Sequence, residues 1–367
     1  MNLIKMKNKK IKLFDPHIGK EEEEELVKTL KSHFWASGEG TGKVKEFETN
    51  FNEYIGSREC VAVNNGTSAL HLALSIYDIK NKEVILPSLS FISTANAILY
   101  NGGIPKFVDV DPETLCVDPE LIKNAISNKT EVILPVHFGG FPCSIKEISE
   151  ICKHYGIHMI EDAAHAAGAT YNKKKIGSHG EAVCFSFHPV KNLAMPTGGA
   201  ITLNQKNSKK ISNNLKSERW CGITNRKNAK YDVKNLGWNF YMNEFSATIG
   251  LTQLKKLDKL NNIRKQIAKK YSKKINLEKI MPYNQNSSYH LFWITVKNRD
   301  SFMRKMSLKG IQTGIHYIPI HKMQLFHDKK KLPITEKISK QIVSLPIHPN
   351  LTDEDVENII KCTNKFS

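Results

Sequence analysis

The segment "IHMIEDAAHAAGA" runs from Ile157 to Ala169, and "AVCFSFHPVKN" runs from Ala182 to Asn192. Each opens on an apolar run that reads as a strand, "IHMIE" in the first and "AVCFSF" in the second. Each run also ends at ionisable groups: Asp162 follows one, and His188 and then Lys191 follow the other. Strands that end this way, rather than in turn residues alone, are expected where a site lies at the edge of a sheet.

Outward from these segments, residues 58–205 keep alternating between apolar runs and helix-like stretches. "CVAVNN" leads into "TSALHLALSIY", and "EVILPS" into "STANAILYNGG". "IPKFVDV", "PELIKNAISN", "EVILPVHF", "SIKEISEICKHYG" and "GAITL" complete the pattern. Val/Ile-rich runs without clean period-2 alternation, separated by helices, predict an α/β fold with a largely parallel sheet covered on both faces.

Beyond that region "NEFSATIGLTQLKKLDKLNNIRKQIAKKYSKKI" reads as one or two long helices, apolar on one side and basic on the other. The tail, with "SYHLFWITV", "DSFMRKMSLKGI", "QTGIHYIPIH" and "DEDVENIIKCTNKF", has the strand and helix patterning of a smaller C-terminal α+β domain. The division is placed at residues 1–255 and 256–367. Asp353 is expected to help start the last helix by capping and by its charge. The run of glutamates at Glu21 to Glu25 is expected to be the solvated face of an early helix.

At 367 residues and 40% hydrophobic content, the chain can bury a substantial core. It contains no apolar run near the roughly 20 residues needed to span a bilayer. The N-terminus, "MNLIKMKNKKIKLF", is basic but lacks an apolar h-region, so no signal peptide is expected and the location is expected to be cytoplasmic. The seven cysteines are scattered without a CxxC pair, which argues against a zinc site or a disulfide framework. Most are expected to be small core residues. The formal charge of +18 is spread among many asparagines and isoleucines. Its densest runs show little aromatic interleaving and no DNA-binding motif, so no nucleic-acid role is expected. A basic chain suits a polyanionic small substrate, such as a phosphorylated metabolite.

Within "VNNGTSALHLAL" a strand passes through Gly66, Thr67 and Ser68 directly into a helix. Unpaired backbone N–H groups and added hydroxyls there form an anion cradle, although the same residues are also ordinary capping residues. Asp162 can cap the next helix, or it can face a heteroaromatic ring nitrogen and hold it protonated. Glu161 should point the other way. Lys191 lies after a strand, in a proline-constrained turn that returns through glycines into "GAITL". Desolvation there would lower its pKa and free an amine for Schiff-base formation. Ser186 could add a hydrogen bond to a phosphate. Phosphate cradle, acid and lysine match the handles of pyridoxal 5′-phosphate.

The chain resembles the DegT/DnrJ/EryC1/StrS family of pyridoxal-phosphate-dependent sugar aminotransferases. The segments that carry the likeness include "LFDPHIGKEEEEELVKTLKS", "FETNFNEYIG", "LPSLSFISTANAI", "FVDVDPETL", "EDAAHAAGA", "SFHPVKN", "GWNFYMNEFSATIGLTQL", "GIHYIPIH" and "LPIHPNLTDEDV", in family order over essentially the whole chain. The resemblance implies a fold-type-I, aspartate-aminotransferase-like architecture with a large cofactor-binding domain. It implies that Lys191 forms the Schiff base and moves the proton, that Asp162 holds the pyridine nitrogen, and that Phe91 stacks on the ring. His165 would meet the cofactor near the aspartate, and Gly66, Thr67, Ser68 and Ser186 would contact the phosphate. Asn239 matches an asparagine that reaches a phosphate in the neighbouring subunit, which implies a homodimer with shared sites. The substrate implied is a nucleotide-linked keto sugar, with L-glutamate as amino donor.

Tyr241 stands where the family usually has Arg, and "AMPTGG" replaces "TTGEGG" after the lysine. Relatives with His in place of the lysine carry out dehydration, and Lys191 argues against that branch. A pyridoxal-phosphate enzyme acting on an aminocyclitol precursor or in a dehydratase-like reaction is the enzymatic alternative. A regulatory or nucleic-acid-binding protein of this fold is the non-enzymatic one. His188 either serves the site or fixes the turn. His316, Tyr317 and His321 either approach the substrate or pack, while Trp220 and Trp238 are expected to pack.

Overall fold

The computed structural model describes residues 10–326 and 330–367. Most of the segment bearing on a signal peptide, residues 1–9, lies outside the described residues. Among those described, no helix is long and apolar enough to cross a membrane.

A seven-stranded sheet forms the centre. Its strands are β1 (Glu59–Val63), β2 (Glu83–Pro87), β3 (Ile104–Val108), β4 (Thr130–Ile133), β5 (His158–Asp162), β6 (Ala182–Ser186) and β7 (Gly199–Leu203). In space they run β1, β7, β6, β5, β4, β2, β3. Only β7 is antiparallel to its neighbours, β1 and β6; the pairs from β6 across to β3 are parallel. Each apolar run quoted from residues 58–205 as a strand is thus a strand of one sheet.

The runs lack alternation because both faces are buried. Val84, Leu86, Val132, Ile160 and Cys184 enter one apolar cluster with Leu70, Leu72 and Leu74 of α3 (Gly66–Leu74) and Ile98 of α4 (Ser93–Tyr100). Ile85, Ile133, Met159, Val183 and Phe185 enter another with Phe47 and Phe51 of α2 (Lys43–Ile55) and Ile148 of α6 (Ile145–Tyr155). This second cluster continues into the C-terminal part. It takes in Leu251, Leu254 and Leu257 of α8 (Glu244–Lys274), one unbroken 31-residue helix that begins at Asn243, whose side chain accepts from Ser246 N–H. The expected division at 255/256 falls inside α8, so the rod belongs to both halves.

The C-terminal part pairs Phe292–Thr295 with Ile342–Leu345 in an antiparallel ladder. Against it pack α9 (Arg299–Leu308) and α11 (Asp353–Phe366), with Phe302, Met306, Val356 and Ile359 buried. Here the cap differs from expectation: Thr352 and Asp355 form a capping box, and Asp353 lies in the first turn, where its charge still opposes the dipole. The glutamate run departs as well. Glu22 of α1 (Lys20–Lys31) is buried, accepting from Gly19 N–H and from Gln253 and Lys256 of α8, which pins α1 to the rod. Six of the cysteines are buried and none is paired; Cys221 is exposed.

Candidate active site

β5 and β6 are parallel neighbours, with Asp162 level with Cys184. Their C-terminal ends therefore open at the same edge, where ligands of open α/β sheets bind. Asp162 shares the face of Ile160. Glu161 takes the opposite face and is buried, accepting from Gly180 N–H at 2.5 Å and lying 2.8 Å from His137 Nε2.

A cavity of about 390 Å³ lies at this edge, lined by Gly66, Thr67, Phe91, Asp162, His165, Ser186 and Lys191 among others. The sequence-predicted residues are therefore brought together, apart from Ser68 and Asn239. A larger depression of about 720 Å³ near Lys279, Lys297 and Lys337 is a surface groove holding none of them.

The start of α3 is pressed against β6. A side chain at Gly66 would place its Cβ 2.7 Å from Ser186 Cβ, so only glycine lets the turn approach so closely. The approach sets Thr67 and the free backbone N–H groups beside Ser186. Among the described residues, neither the Thr67 nor the Ser186 hydroxyl has a hydrogen-bond partner. Ser68 is placed differently: its N–H donates to Asn65 Oδ1 at 2.8 Å and its hydroxyl to Asn64 Oδ1 at 2.7 Å. Its N–H completes the helix cap, and its hydroxyl is taken up by Asn64 and does not line the cavity. Asn239 is exposed and off this cavity, and its carbonyl accepts from Asn64 Nδ2 at 3.4 Å.

Asp162 accepts from Thr94 Oγ1 at 2.8 Å and from Ala164 N–H at 3.0 Å. Among the described residues no cation lies within ion-pair distance of it. Burial pushes its pKa up, against those hydrogen bonds and the positive charge of Lys191. Burial also pulls Lys191 down to about 8, with Asp162 opposing. The lysine turn is held from behind: Asn192 Nδ2 donates to Asn261 Oδ1 of α8 at 2.8 Å and to Ser288 O at 2.7 Å, while Asn261 donates to Ala167 O.

His165 Nδ1 accepts from Gly139 N–H at 3.2 Å, which leaves the proton on Nε2, 3.0 Å from the Tyr317 hydroxyl. Burial and the nearby Lys191 charge keep this imidazole neutral, with its pKa well below the ordinary value. Phe91 is 55% exposed at the mouth, an aromatic face open for stacking. His316 and Tyr317 do line the cavity. His321 does not; it is buried between Ser88 and Glu336. His188 is exposed at the rim, and its ring accepts from Val190 N–H at 3.4 Å, fixing the turn. Trp238 stacks on Phe240, as packing.

Sequence reasoning missed Phe14, Thr94 and His290. His290 is buried, its Nε2 is 3.4 Å from Lys191 Nζ, and Phe14 stacks on it. Thr94 follows Phe91 in a quoted motif and was within reach. His290 had no local signal, since its partner lies 99 residues away.

The sequence profile of the DegT/DnrJ/EryC1/StrS aminotransferase family matches residues 16–364. The chain belongs to this family. Spore coat polysaccharide biosynthesis protein SpsC of Bacillus subtilis is 33% identical to it over 94% of each chain. Spr1654 of Streptococcus pneumoniae, described as a sugar aminotransferase and solved in pyridoxal- and pyridoxamine-phosphate forms, superposes with a TM-score of 0.91 at 26% identity, covering 98% of each chain. Helicobacter pylori PseC, an aminotransferase of pseudoaminic acid biosynthesis, gives 0.91 at 27% identity over 98% of this chain and 99% of its own. The expected fold is thereby borne out.

DegT/DnrJ/EryC1/StrS aminotransferases use pyridoxal 5′-phosphate, and the present residues fit that group. Unpartnered hydroxyls at Thr67 and Ser186 with a glycine-made cradle suit its phosphate. A buried carboxylate without a cation suits its ring nitrogen, and a desolvated lysine suits its aldehyde.

Proposed function

We propose that this aminotransferase moves the amino group of L-glutamate to a nucleotide-linked keto sugar, working as a homodimer with sites shared across the interface. The observation that carries the reading is that Asp162 and Lys191 open into one cavity from adjacent strand ends, beside the Gly66–Thr67–Ser186 cradle.

When bound, pyridoxal 5′-phosphate supplies a conjugated cation that spreads the charge left on the donor carbon. Asp162 holds the proton on the ring nitrogen and keeps that sink charged. Thr67, Ser186 and the start of α3 hold the phosphate, and Phe91 covers the ring. Lys191 Nζ takes the proton from the donor carbon and returns it. A pKa of about 8 suits both halves of that task near neutral pH.

The polysaccharide and pseudoaminic acid roles named for SpsC and PseC favour a sugar acceptor. Exposed Asn239, off its own cavity, supports a role in a second copy's site. The half-exposed apolar patch of Val27, Leu30, Phe34 and Trp35 supports the same pairing. Unpaired thiols throughout suit a reducing, cytoplasmic compartment. The division proposed is 1–255 for the large part and 256–367 for the small one, with α8 running through both.

The test is a panel of nucleotide keto sugars assayed for glutamate-dependent amination. Amino sugar and 2-oxoglutarate should form in equal amounts; conversion of a sugar without consumption of glutamate would refute the reading.

A further inference from the structure

The loop that carries His316 and Tyr317 into the cavity is anchored at two places. At one end Gly314 exchanges backbone hydrogen bonds with Ser344 of the C-terminal ladder, and His316 Nδ1 lies 2.9 Å from the Ser344 hydroxyl. At the other end the loop crosses to the large sheet and meets Ser88, the residue directly after β2. Ile320 N–H donates to Ser88 O at 3.0 Å, and His321 N–H donates to Ser88 Oγ at 3.1 Å. His321 Nδ1 lies 2.6 Å from the same Oγ. On the far side of the imidazole, Nε2 is 3.2 Å from Glu336 Oε1, in the helix Pro333–Gln341. A carboxylate only accepts, so Nε2 carries a proton. Lys322 Nζ at 3.0 Å and Leu332 N–H at 3.2 Å hold the same Glu336 oxygen.

His321 and Ser88 are fully buried, and neither lines the cavity. Packing alone would account for a buried histidine with both nitrogens satisfied. What sets this one apart is where its partners lead. Ser88 begins the segment that carries Phe91 and then Thr94, whose hydroxyl donates to Asp162. The Phe91 ring centroid lies 6.0 Å from that of Tyr317, whose hydroxyl meets His165 Nε2 at 3.0 Å. Among the described residues, the hydrogen bonds from residues 315–321 to the part before α8 are those at Ser88 and the one at His165.

We propose that His321 is a positioning residue that clasps the loop between Ser88 and Glu336. The clasp holds the Tyr317 hydroxyl on His165 and fixes the gap between Tyr317 and Phe91 at the cavity mouth. Without the imidazole, two backbone N–H groups still tie the loop to Ser88, and the link to Glu336 is lost. A bulky acceptor must occupy or pass that gap, whereas the much smaller L-glutamate need not. This consequence for the acceptor rests on the keto-sugar reading above.

The test uses the holoenzyme. His321→Leu removes both side-chain bonds, while His321→Asn keeps an amide that reaches Ser88 but not Glu336. Ser88→Ala removes a single oxygen and serves where His321→Leu fails to fold. With 3-fluorotyrosine incorporated, the fluorine NMR resonance of Tyr317 is assigned by its loss in Tyr317→Phe. That resonance should move in His321→Leu and Ser88→Ala, and move less in His321→Asn. KM for the keto sugar should rise about tenfold in His321→Leu, with kcat within about twofold and KM for L-glutamate unchanged. In a Tyr317→Phe background the effect of His321→Leu should shrink, because the clasp acts through Tyr317. A resonance that stays in place in the folded variants, or losses that add fully in the double variant, would show that His321 only packs. Equal rises in KM for both substrates would overturn the clasp's place at the mouth. If no keto sugar is aminated while the resonance moves, the acceptor reading fails and the clasp stands.

Discussion

Lys191 Nζ stands 3.4 Å from His290 Nε2, so this buried amine, in the turn after β6, has a hydrogen-bond acceptor on the C-terminal half. The imidazole is neutral, because burial and the charge of Lys191 push its pKa well below the ordinary value. It can therefore accept a proton bond from the amine and hold it in one orientation, with Phe14 stacked behind. His290→Leu is expected to slow cofactor uptake by about tenfold, read as the rise of the protein-bound absorbance after adding pyridoxal 5′-phosphate. Circular dichroism should be unchanged; an unaltered uptake rate would show that the contact does not position Lys191.

Cofactor uptake should also depend on pH in a defined direction. Only the neutral amine condenses with an aldehyde, and burial lowers Lys191 to about 8. The rate is expected to rise through pH 8 and level off above it. The sign for stability is the same: between about 8 and the unfolded lysine value the unfolded chain binds the extra proton, so the Lys191 contribution improves as pH rises through that window. A rate that is flat from pH 6 to 10 would contradict the buried amine.

Asp162 sets the other side of that balance, since its negative charge holds the Lys191 pKa up. Asp162→Asn should move the uptake profile to lower pH and cut turnover by about 100-fold or more, with the acceptor's KM little changed. Turnover equal to wild type would remove Asp162 from the site.

Gly66→Ala tests the cradle. The new Cβ would lie 2.7 Å from Ser186 Cβ, so α3 and β6 must separate. Affinity for pyridoxal 5′-phosphate should drop by about tenfold, while affinity for pyridoxal, which has no phosphate, should fall less. Equal losses for both ligands would place the phosphate elsewhere.

The sheet was legible because strands buried on both faces must be apolar throughout, as in "EVILP" and "AVCFS". Asp162 alone could be read as a cap and Lys191 alone as one lysine of many; what made them legible was their occurrence together after two such runs, with a glycine-rich turn for a phosphate beside them. The placing of Ser68 was not legible, because a serine in the first turn of a helix reads alike whether its hydroxyl turns to a phosphate or to a neighbouring side chain such as Asn64. Glu22 misled because four neighbours of the same type hid one whose partners, Gln253 and Lys256, lie on α8. His290 was invisible for a related reason. Its meaning depends on what the fold sets beside it, and nothing adjacent in the chain reports it.

α8 reaches both halves without a break, and Asn261 and Arg264 sit on it one turn apart. One holds the lysine turn through Asn192 and the segment after β5 through Ala167; the other lines a small crevice that Lys191 also lines. The molecule therefore cannot be divided into interchangeable modules by cutting along this helix. Grafting a foreign C-terminal half onto it would alter the seat of the lysine along with whatever specificity was being borrowed.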